Sequence, residues 1–217
     1  MNSLYGIPLS PFVRKVMLTL EYKRIDFTSQ PLFPRDPSPE FRAISPLGKI
    51  PAFADATLAQ PLLESAVICD YLECRYPQPS IYPALPEQRA QCLWLQSYAD
   101  TSLMSVTASV FFEIVARRLL RKGDTDTARV AQIVAAEQPP VFDYLETQLA
   151  PAEFAVGTEV SIADFAIATQ FINAKYAGIE PNPQRWPRLS SYLQRLYQLP
   201  VINARMGADQ PLLIAYD

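Results

Sequence analysis

Strand-forming patterns occur in this 217-residue chain only ahead of a proline-rich stretch, PQPSIYPALP, at residues 77–86. After that stretch, apolar residues recur at helical spacing and no strand pattern follows. We therefore predict an α/β domain over residues 1–80 and an all-helical domain over residues 87–217, with the proline-rich stretch as the linker. Four short apolar or alternating segments predict the strands, at 2–5, 25–30, 50–54 and 57–60.

The predicted elements of the first domain alternate, and this constrains its topology. A strand, a helix and a second strand predict a parallel βαβ unit, and a hairpin turning at Asp55-Ala56 adds an antiparallel pair. Short and long helices are predicted over residues 39–44 and 64–76. One face of the longer helix carries Val67, Ile68, Tyr71 and Leu72.

Helical spacing covers nearly all of the second domain. A double proline, Pro139-Pro140, removes two backbone donors and clashes with the preceding turn, so it predicts a break or a sharp kink. The predicted helical segments are 87–122, 124–149, 161–176, 188–199 and 201–206.

The chain contains no histidine, and this excludes Ser-His-Asp and Cys-His catalytic arrangements. It also removes the commonest transition-metal ligand. Cys69, Cys74 and Cys92 lie in apolar helical stretches without Cys-x-x-Cys spacing, so we expect small buried side chains and no metal site. The chemistry is left to hydroxyls, carboxylates, amines, backbone dipoles or a reactive group of the substrate.

The formal net charge of −3 creates no strong field for nucleic acid or an anionic membrane. The sequence contains no run of about eighteen apolar residues, so we predict no membrane span. The start of the chain lacks the basic and apolar regions of a signal peptide. We expect a cytoplasmic protein with no nucleic-acid or membrane partner.

The stretch PLSPFVRKVML, residues 8–18, occupies the place of a redox motif without its sulfurs, since Ser10 and Val13 stand where a Cys-x-x-Cys pair would. Ser10 followed by Pro11 predicts a helix N-cap with proline at the first helical position. A serine without a base is a poor nucleophile, so Ser10 need not attack a substrate. A hydroxyl beside a helix N-terminus can instead stabilise an anion.

A second helix start lies in SIADFAIA, residues 161–168. Ser161 and Asp164 have the spacing of a capping box, with Asp in place of Glu. This pattern indicates a folding role, and a cap of this kind is worth about 1 kcal/mol.

Four segments occur together in the order and spacing of one family. They are LYGIPLSPFVRKV, SPLGKIPAF, LLESAVICDYL and SIADFAIA. On these motifs the whole chain resembles the cytosolic glutathione transferases, in a bacterial form with a serine-type active site. The resemblance implies a thioredoxin-like N-terminal domain, an all-helical C-terminal domain and a homodimer. It also implies glutathione as co-substrate on the first domain and an apolar electrophile between the two.

The resemblance places the glutathione site at Lys49, Ile50, Pro51, Glu64 and Ser65. Glu64 would accept the γ-glutamyl ammonium group, and Ser65 at a helix N-terminus would hold the neighbouring carboxylate. Ile50, before a cis Pro51, would pair its backbone with the cysteinyl residue of glutathione like one more strand. Lys49 is either a partner for a ligand carboxylate or a solvated loop lysine.

One departure from the family concerns the glycyl carboxylate of glutathione. Several members hold it with a basic or imidazole side chain in the loop after the second strand. That region here is Arg35-Asp36-Pro37, and Arg35 is the substitute that the sequence offers.

Glutathione brings its own thiol, so the resemblance implies that Ser10 donates a hydrogen bond to the thiolate. Two alternatives stay open: Ser10 as a purely structural N-cap, and Tyr5 as the thiolate partner. The electrophile pocket should be apolar, although the same spacing suits helix-bundle core. Its candidates are Phe12, Leu103, Met104, Thr107 and Phe111, with Phe112 beside them.

The function implied is conjugation of the glutathione thiolate to a small apolar electrophile, as in detoxification. The alternative is a non-catalytic member of the same fold that binds or regulates a protein partner. A glutathione-dependent reductase or peroxidase is a third option.

Overall fold

The computed structural model describes residues 2–149 and 153–214. The chain divides into two compact units between Ile81 and Tyr82, inside the proline-rich stretch. The first unit combines short strands and helices: β1 (Ser3–Tyr5), α1 (Pro11–Tyr22), β2 (Thr28–Gln30), α2 (Pro39–Ile44), β3 (Ala52–Ala54), β4 (Leu62–Leu63) and α3 (Ser65–Arg75).

The sheet of the first unit has the strand order β2-β1-β3-β4. β1 pairs parallel with β2 and antiparallel with β3, and β4 pairs antiparallel with β3. The predicted βαβ unit followed by an antiparallel pair is therefore confirmed. Leu4 lies opposite Phe53 in this register, and both side chains are fully buried because they form the core beneath the helices.

The predicted second strand of the hairpin, 57–60, is wrong. The chain pairs again only at Leu62–Leu63, after Pro61. The Asp55 carboxylate accepts the Thr57 N–H at 2.5 Å and the Thr57 hydroxyl at 2.7 Å. This Asx-type turn gives the backbone N–H of Thr57 a local hydrogen-bond acceptor. The segment therefore bends where the alternating pattern predicted an extended strand.

The buried face of α3 also differs from the prediction. Ile68, Cys69 and Leu72 are fully buried, but the Val67 side chain is 52% exposed. Residues three and four apart share a helix face, and Val67 lies one residue, about 100°, from Ile68. Tyr71 is half-buried, and its hydroxyl donates to Asp55 Oδ2.

In the described part of the second unit, every regular element is a helix. Its first and second continuous helical stretches, residues 86–119 and 127–148, both contain π-helical turns. The elements are α4 (Pro86–Tyr98), α5 (Met104–Phe111), α6 (Arg117–Leu119), α7 (Thr127–Gln132), α8 (Gln138–Gln148), α9 (Ile162–Tyr176), α10 (Pro187–Gln198) and α11 (Pro200–Ile214), with π turns at Ala99–Leu103, Phe112–Ala116 and Ile133–Glu137.

Helix α9 is the centre of this unit. Every residue from Ile162 to Ala174 is buried, and α4 and α5 pack against it. The predicted capping box is confirmed, because Asp164 Oδ2 accepts the Ser161 N–H at 2.8 Å and the Ser161 hydroxyl at 2.7 Å. Asp164 Oδ1 accepts the Ala155 N–H at 2.8 Å and the Tyr192 hydroxyl at 2.7 Å. One buried carboxylate thus joins three segments of the unit.

The predicted break at Pro139-Pro140 is wrong, because helix continues through both prolines, whereas the alternative of a sharp kink there stays a prediction. They occupy the first turn of α8, directly after the π turn Ile133–Glu137. Proline lacks the N–H of the usual helical bond and clashes with the carbonyl four residues back. A wider turn moves that carbonyl away, so the helix accommodates the pair without ending.

The continuous helical stretch Pro86–Leu119 is apolar enough, by length and composition, to cross a membrane. Its best window has a mean hydropathy of 1.3, and 33% of that window is buried inside the protein. The core helix of a water-soluble protein passes the same test, and this stretch contributes α4 and α5 to the packing around α9.

Candidate functional site

Ser10 begins helix α1 as its N-cap, as predicted. Its backbone is extended, with φ −72° and ψ 124°, and Pro11 follows at the first helical position. The Ser10 Oγ accepts the Val13 N–H at 3.5 Å, which is the outer limit of such a bond. Within the described residues, no acceptor for the Ser10 O–H is found. The half-buried hydroxyl can therefore cap the helix and still donate a hydrogen bond outward.

Gly6 joins the start of α1 to the loop before Pro51, and sequence reasoning missed this role. Its φ is +137°, and a Cβ at this position would lie 2.5 Å from Val13 Cγ2 and 3.1 Å from Ile50 Cβ. Only a glycine allows this close approach with unstrained backbone. Gly6 thereby brings Ser10 and Ile50, two predicted ligand-binding residues, to the same end of the sheet.

The predicted cis bond between Ile50 and Pro51 is confirmed. Pro51 is buried, Ile50 is half-buried, and β3 begins directly after them. In the part of the chain that the structure describes, the Ile50 N–H and C=O have no backbone partner. An extended ligand could use both groups as a strand would.

The junction of β4 and α3 carries Glu64 and Ser65. Glu64 has a left-handed backbone, with φ 68° and ψ 120°, and its side chain does not cap the helix that follows. Such a conformation costs a non-glycine residue about 1–3 kcal/mol and is found preferentially at functional sites. Ser65 is buried at the first helical position, so an uncapped helix N-terminus and a hydroxyl occur together there. This combination suits a carboxylate ligand.

Lys49 is bound to Glu64. The Lys49 Nζ lies 3.0 Å from Glu64 Oε1, and the two side chains are 62% and 63% exposed. An exposed pair of this kind adds little to stability. Sequence analysis predicted Lys49 and Glu64 as two separate ligand-binding residues. In the structure they form one ion pair.

Arg35, in a loop, and Arg42, in helix α2, both lie beside Gly48. Arg35 has a left-handed backbone with φ 64°, and its N–H donates to Gly48 O at 2.7 Å. A Cβ at Gly48 would lie 2.9 Å from Arg42 Nη1, which donates to Pro46 O at 3.2 Å. Arg35 is exposed and lies beside the loop that carries Lys49 and Ile50.

The candidates for the electrophile pocket vary in their surroundings. Phe12 in the first unit is half-buried, and so are Met104 and Phe111 in the second. Leu103 is fully buried, and Thr107 is buried with its hydroxyl 3.0 Å from both Leu103 O and Gln170 Oε1. Thr107 is therefore tied to α9, as a residue of the bundle core would be. The pocket itself stays a prediction.

The cysteines differ from one another. Cys69 and Cys92 are buried as predicted, but Cys74 is exposed. Burial raises the pKa of the Cys92 thiol. Over residues 2–149 and 153–214, no group of three or more His, Cys, Asp or Glu side chains is arranged to hold a metal ion.

Comparisons with known proteins identify the relatives of this arrangement. Residues 4–80 match the family model of the glutathione S-transferase N-terminal domain, and residues 127–195 match that of the C-terminal domain. Glutathione S-transferase 3 of Zea mays is 31% identical over 167 residues, covering 74% of this chain and 72% of that protein. FtsZ-localized protein A of Caulobacter vibrioides is 28% identical over 183 residues, covering 83% and 80%. The crystal structure of a glutathione S-transferase from Rhodospirillum rubrum superposes with a TM-score of 0.84 at 23% identity, covering 94% of this chain and 91% of that one.

Proposed function

The chain belongs to the glutathione S-transferase family, and on that premise we propose that it conjugates glutathione to small apolar electrophiles. Ser10 stabilises the glutathione thiolate in this proposal. The single observation that carries it is the Ser10 hydroxyl, which caps α1 only weakly and keeps its proton available for a ligand.

The local geometry supports the choice of binding residues in this proposal. Ile50 offers an unpaired N–H and C=O to the cysteinyl backbone of glutathione, and the cis Pro51 shapes that loop. Glu64 accepts the ammonium of the γ-glutamyl group. Ser65 and the N-terminus of α3 hold its carboxylate, because free N–H groups and a partial positive charge meet there. Lys49 contributes a positive charge for a ligand carboxylate.

The chemistry needs no base from the protein. A free thiol has a pKa of about 8.5, so only a few per cent is thiolate at neutral pH. The N-terminus of α1 and the Ser10 O–H both favour the anion. Lowering the thiol pKa by about two units takes about 2.7 kcal/mol, within reach of one charge-assisted hydrogen bond and a helix end.

In the reaction, the thiol proton passes to solvent and the sulfur lone pair forms a bond to the electrophilic carbon. In a substitution, the leaving group departs with its bonding electrons. In an addition, the displaced π electrons take up a proton.

The test is the pH dependence of conjugation to a chlorodinitrobenzene by wild type, Ser10→Ala and Ser38→Ala. Ser38 is a matched control, because it also precedes proline and its Oγ caps α2 from 3.4 Å. We expect the Ser10→Ala rate at neutral pH to fall about tenfold and its pH midpoint to rise by about one unit. Ser38→Ala should keep the wild-type profile. Equal rates for wild type and Ser10→Ala at every pH would refute the thiolate role.

A second candidate function is protein binding without catalysis. It is favoured by the similarity to a relative named for its localisation with FtsZ. A thermal-shift titration with millimolar glutathione separates the candidates, since a bound ligand stabilises by RT ln(1 + [L]/Kd). No shift for wild type would overturn the enzyme proposal, and no activity on a broad electrophile panel would favour the binding protein.

The homodimer, the cytoplasmic location and a detoxification role stay predictions. Light scattering after size-exclusion chromatography tests the homodimer, with a mass of about twice the 24.4 kDa chain as the expected result.

A further inference from the structure

Ser45 ends helix α2 and begins the turn that leads to Ile50. It precedes Pro46, and a residue before proline is disfavoured in helical conformation, so the helix stops there. The Ser45 N–H donates to Phe41 O at 2.7 Å, and the Ser45 C=O accepts the Gly48 N–H at 2.8 Å. Because Ser45 is fully buried, its backbone groups need these partners within the protein.

The Ser45 hydroxyl makes a further bond, which reaches the peptide unit before Ile50. It donates to Lys49 O at 2.8 Å. The turn itself is already closed by the backbone bond from Gly48. The side-chain bond therefore has a different effect, since it fixes the orientation of the peptide unit that joins Lys49 to Ile50.

The orientation of this peptide unit decides where the Ile50 N–H points. The unit is trans and planar, so its C=O and N–H point in opposite directions. A bond that holds Lys49 O on the buried Ser45 hydroxyl thus directs the Ile50 N–H away from Ser45. A hydrogen bond to the carbonyl also polarises the peptide unit and makes its N–H a stronger donor. The N–H is thereby oriented for an acceptor outside the turn.

We propose that Ser45 is a positioning residue of the glutathione site. Its hydroxyl holds and polarises the Lys49–Ile50 peptide unit, so that the Ile50 N–H donates to the cysteinyl carbonyl of the ligand. Ser45 acts only through this peptide unit, because its side chain is fully buried and bonded to Lys49 O. The inference rests on the proposed function and adds that a buried residue behind the ligand contacts sets part of the affinity.

Calorimetric titration of wild type and Ser45→Ala with two ligands tests this role. The first ligand is glutathione. The second, γ-glutamylcysteamine, keeps the γ-glutamyl group, the amide N–H and the thiol, but it lacks the cysteinyl carbonyl and the glycyl residue. Thr169→Val is the matched control, because Thr169 is also buried and its hydroxyl donates to a main-chain carbonyl, Ala166 O, at 3.0 Å, in α9 of the second unit.

Ser45→Ala should bind glutathione about fivefold more weakly than wild type does, the fold-change that corresponds to one neutral hydrogen bond. Its affinity for γ-glutamylcysteamine should match that of wild type, since this ligand offers the Ile50 N–H no carbonyl. Thr169→Val should leave both affinities unchanged, even if urea unfolding shows a similar loss of stability in the two variants.

Hydrogen exchange of the Ile50 amide in wild type is an independent measurement that needs no variant. In the part of the chain that the structure describes, this N–H has no backbone acceptor, so it should exchange quickly in the free protein. Glutathione should protect it, and γ-glutamylcysteamine should not. An Ile50 amide that saturating glutathione leaves unprotected would overturn the inference.

The outcomes separate this inference from the function on which it rests. If Ser45→Ala weakens the binding of both ligands equally, Ser45 only supports the loop and the inference is wrong. If the variant weakens neither, the inference is also wrong, and in both cases glutathione binding stands. If wild type binds no glutathione at all, the proposed function fails and the inference fails with it.

Discussion

Gly6 lies so close to Val13 that a Cβ on Gly6 would sit 2.5 Å from a Val13 methyl carbon. Its φ of +137° is in addition a conformation that side-chain-bearing residues rarely adopt. This contact sets the distance between the N-terminus of α1 and the loop that ends at Ile50.

Gly6→Ala should therefore destabilise the protein by about 2–4 kcal/mol, from backbone strain and overpacking together. It should also raise the KM for glutathione, because Ile50 and Val13 must move apart. Urea unfolding and steady-state kinetics measure the two effects. Gly207→Ala is the control, since a Cβ on that helical glycine would meet no atom within 4 Å and the variant should be neutral or stabilising. A Gly6→Ala variant as stable as wild type would contradict this account.

Ser65→Ala should affect binding more than chemistry. The buried hydroxyl at the start of α3 contacts the substrate equally in the ground state and the transition state in our proposal. We expect the KM for glutathione to rise about tenfold with kcat nearly unchanged, whereas Ser10→Ala lowers kcat. If Ser65→Ala instead lowers kcat and Ser10→Ala raises only the KM, the roles assigned to the two serines are wrong.

The capping box of α9 predicts a graded loss of stability. Ser161→Ala should cost about 1 kcal/mol. Asp164→Ala should cost about 3 kcal/mol or more, because four buried donors would lose their acceptor. The midpoints of urea unfolding measure both losses of stability. The rate of glutathione conjugation per folded molecule should not change in either variant. Equal costs for the two substitutions would show that the bonds from Ala155 and Tyr192 are unimportant.

We expect a similar loss of stability in the first unit when Lys23 is replaced. Its fully buried side chain donates to Tyr76 O and Pro79 O at 2.7 Å and lies 2.7 Å from Glu73 Oε2. Lys23→Met should cost about 3 kcal/mol or more, because two carbonyls and a carboxylate lose their cation. Glu73→Gln should cost less, since the amide oxygen still accepts. Urea unfolding that ranks the two variants in the opposite order would contradict this prediction.

Asp143 predicts a pH-dependent contribution to stability. Hydrogen bonds from Arg185 and from Trp186 Nε1, the latter at 2.7 Å, lower the pKa of its carboxyl group. A lowered folded-state pKa contributes stability above the unfolded value and loses it as the pH falls through the folded value. Asp143→Asn should therefore be less stable than wild type at pH 7, and the difference should shrink once the pH falls below the ordinary aspartate pKa of about 3.9 and disappear below the lowered folded-state pKa.

The measurement is urea unfolding followed by Trp186 fluorescence, with Trp94→Phe in both proteins so that Trp186 is the single reporter. A stability difference that stays constant from neutral to acidic pH would rule out the carboxylate as its source.

Much of the fold could be predicted from the sequence because local signals agreed with the tertiary structure. The Ser10-Pro11 start of α1 and the Ser161/Asp164 box of α9 depend on bonds within one turn of helix. The division at the proline-rich stretch follows from patterns of side-chain polarity that span many residues. The predicted strand at 57–60 is instead a turn, because the Asp55 carboxylate accepts the Thr57 N–H and so replaces the backbone hydrogen bond that a strand would make.

The sequence by itself determined which residue types could act: a serine at a helix start, a Glu-Ser pair at the start of α3, and no histidine. Only the tertiary structure decided how they meet. Gly6 packs against Val13 and Ile50, and Lys49 reaches Glu64 fifteen residues away. Such contacts join segments that are distant along the chain, and no local propensity or spacing encodes them. They arise when the strands pair into the sheet and the loop before β3 comes to lie beside the N-termini of α1 and α3.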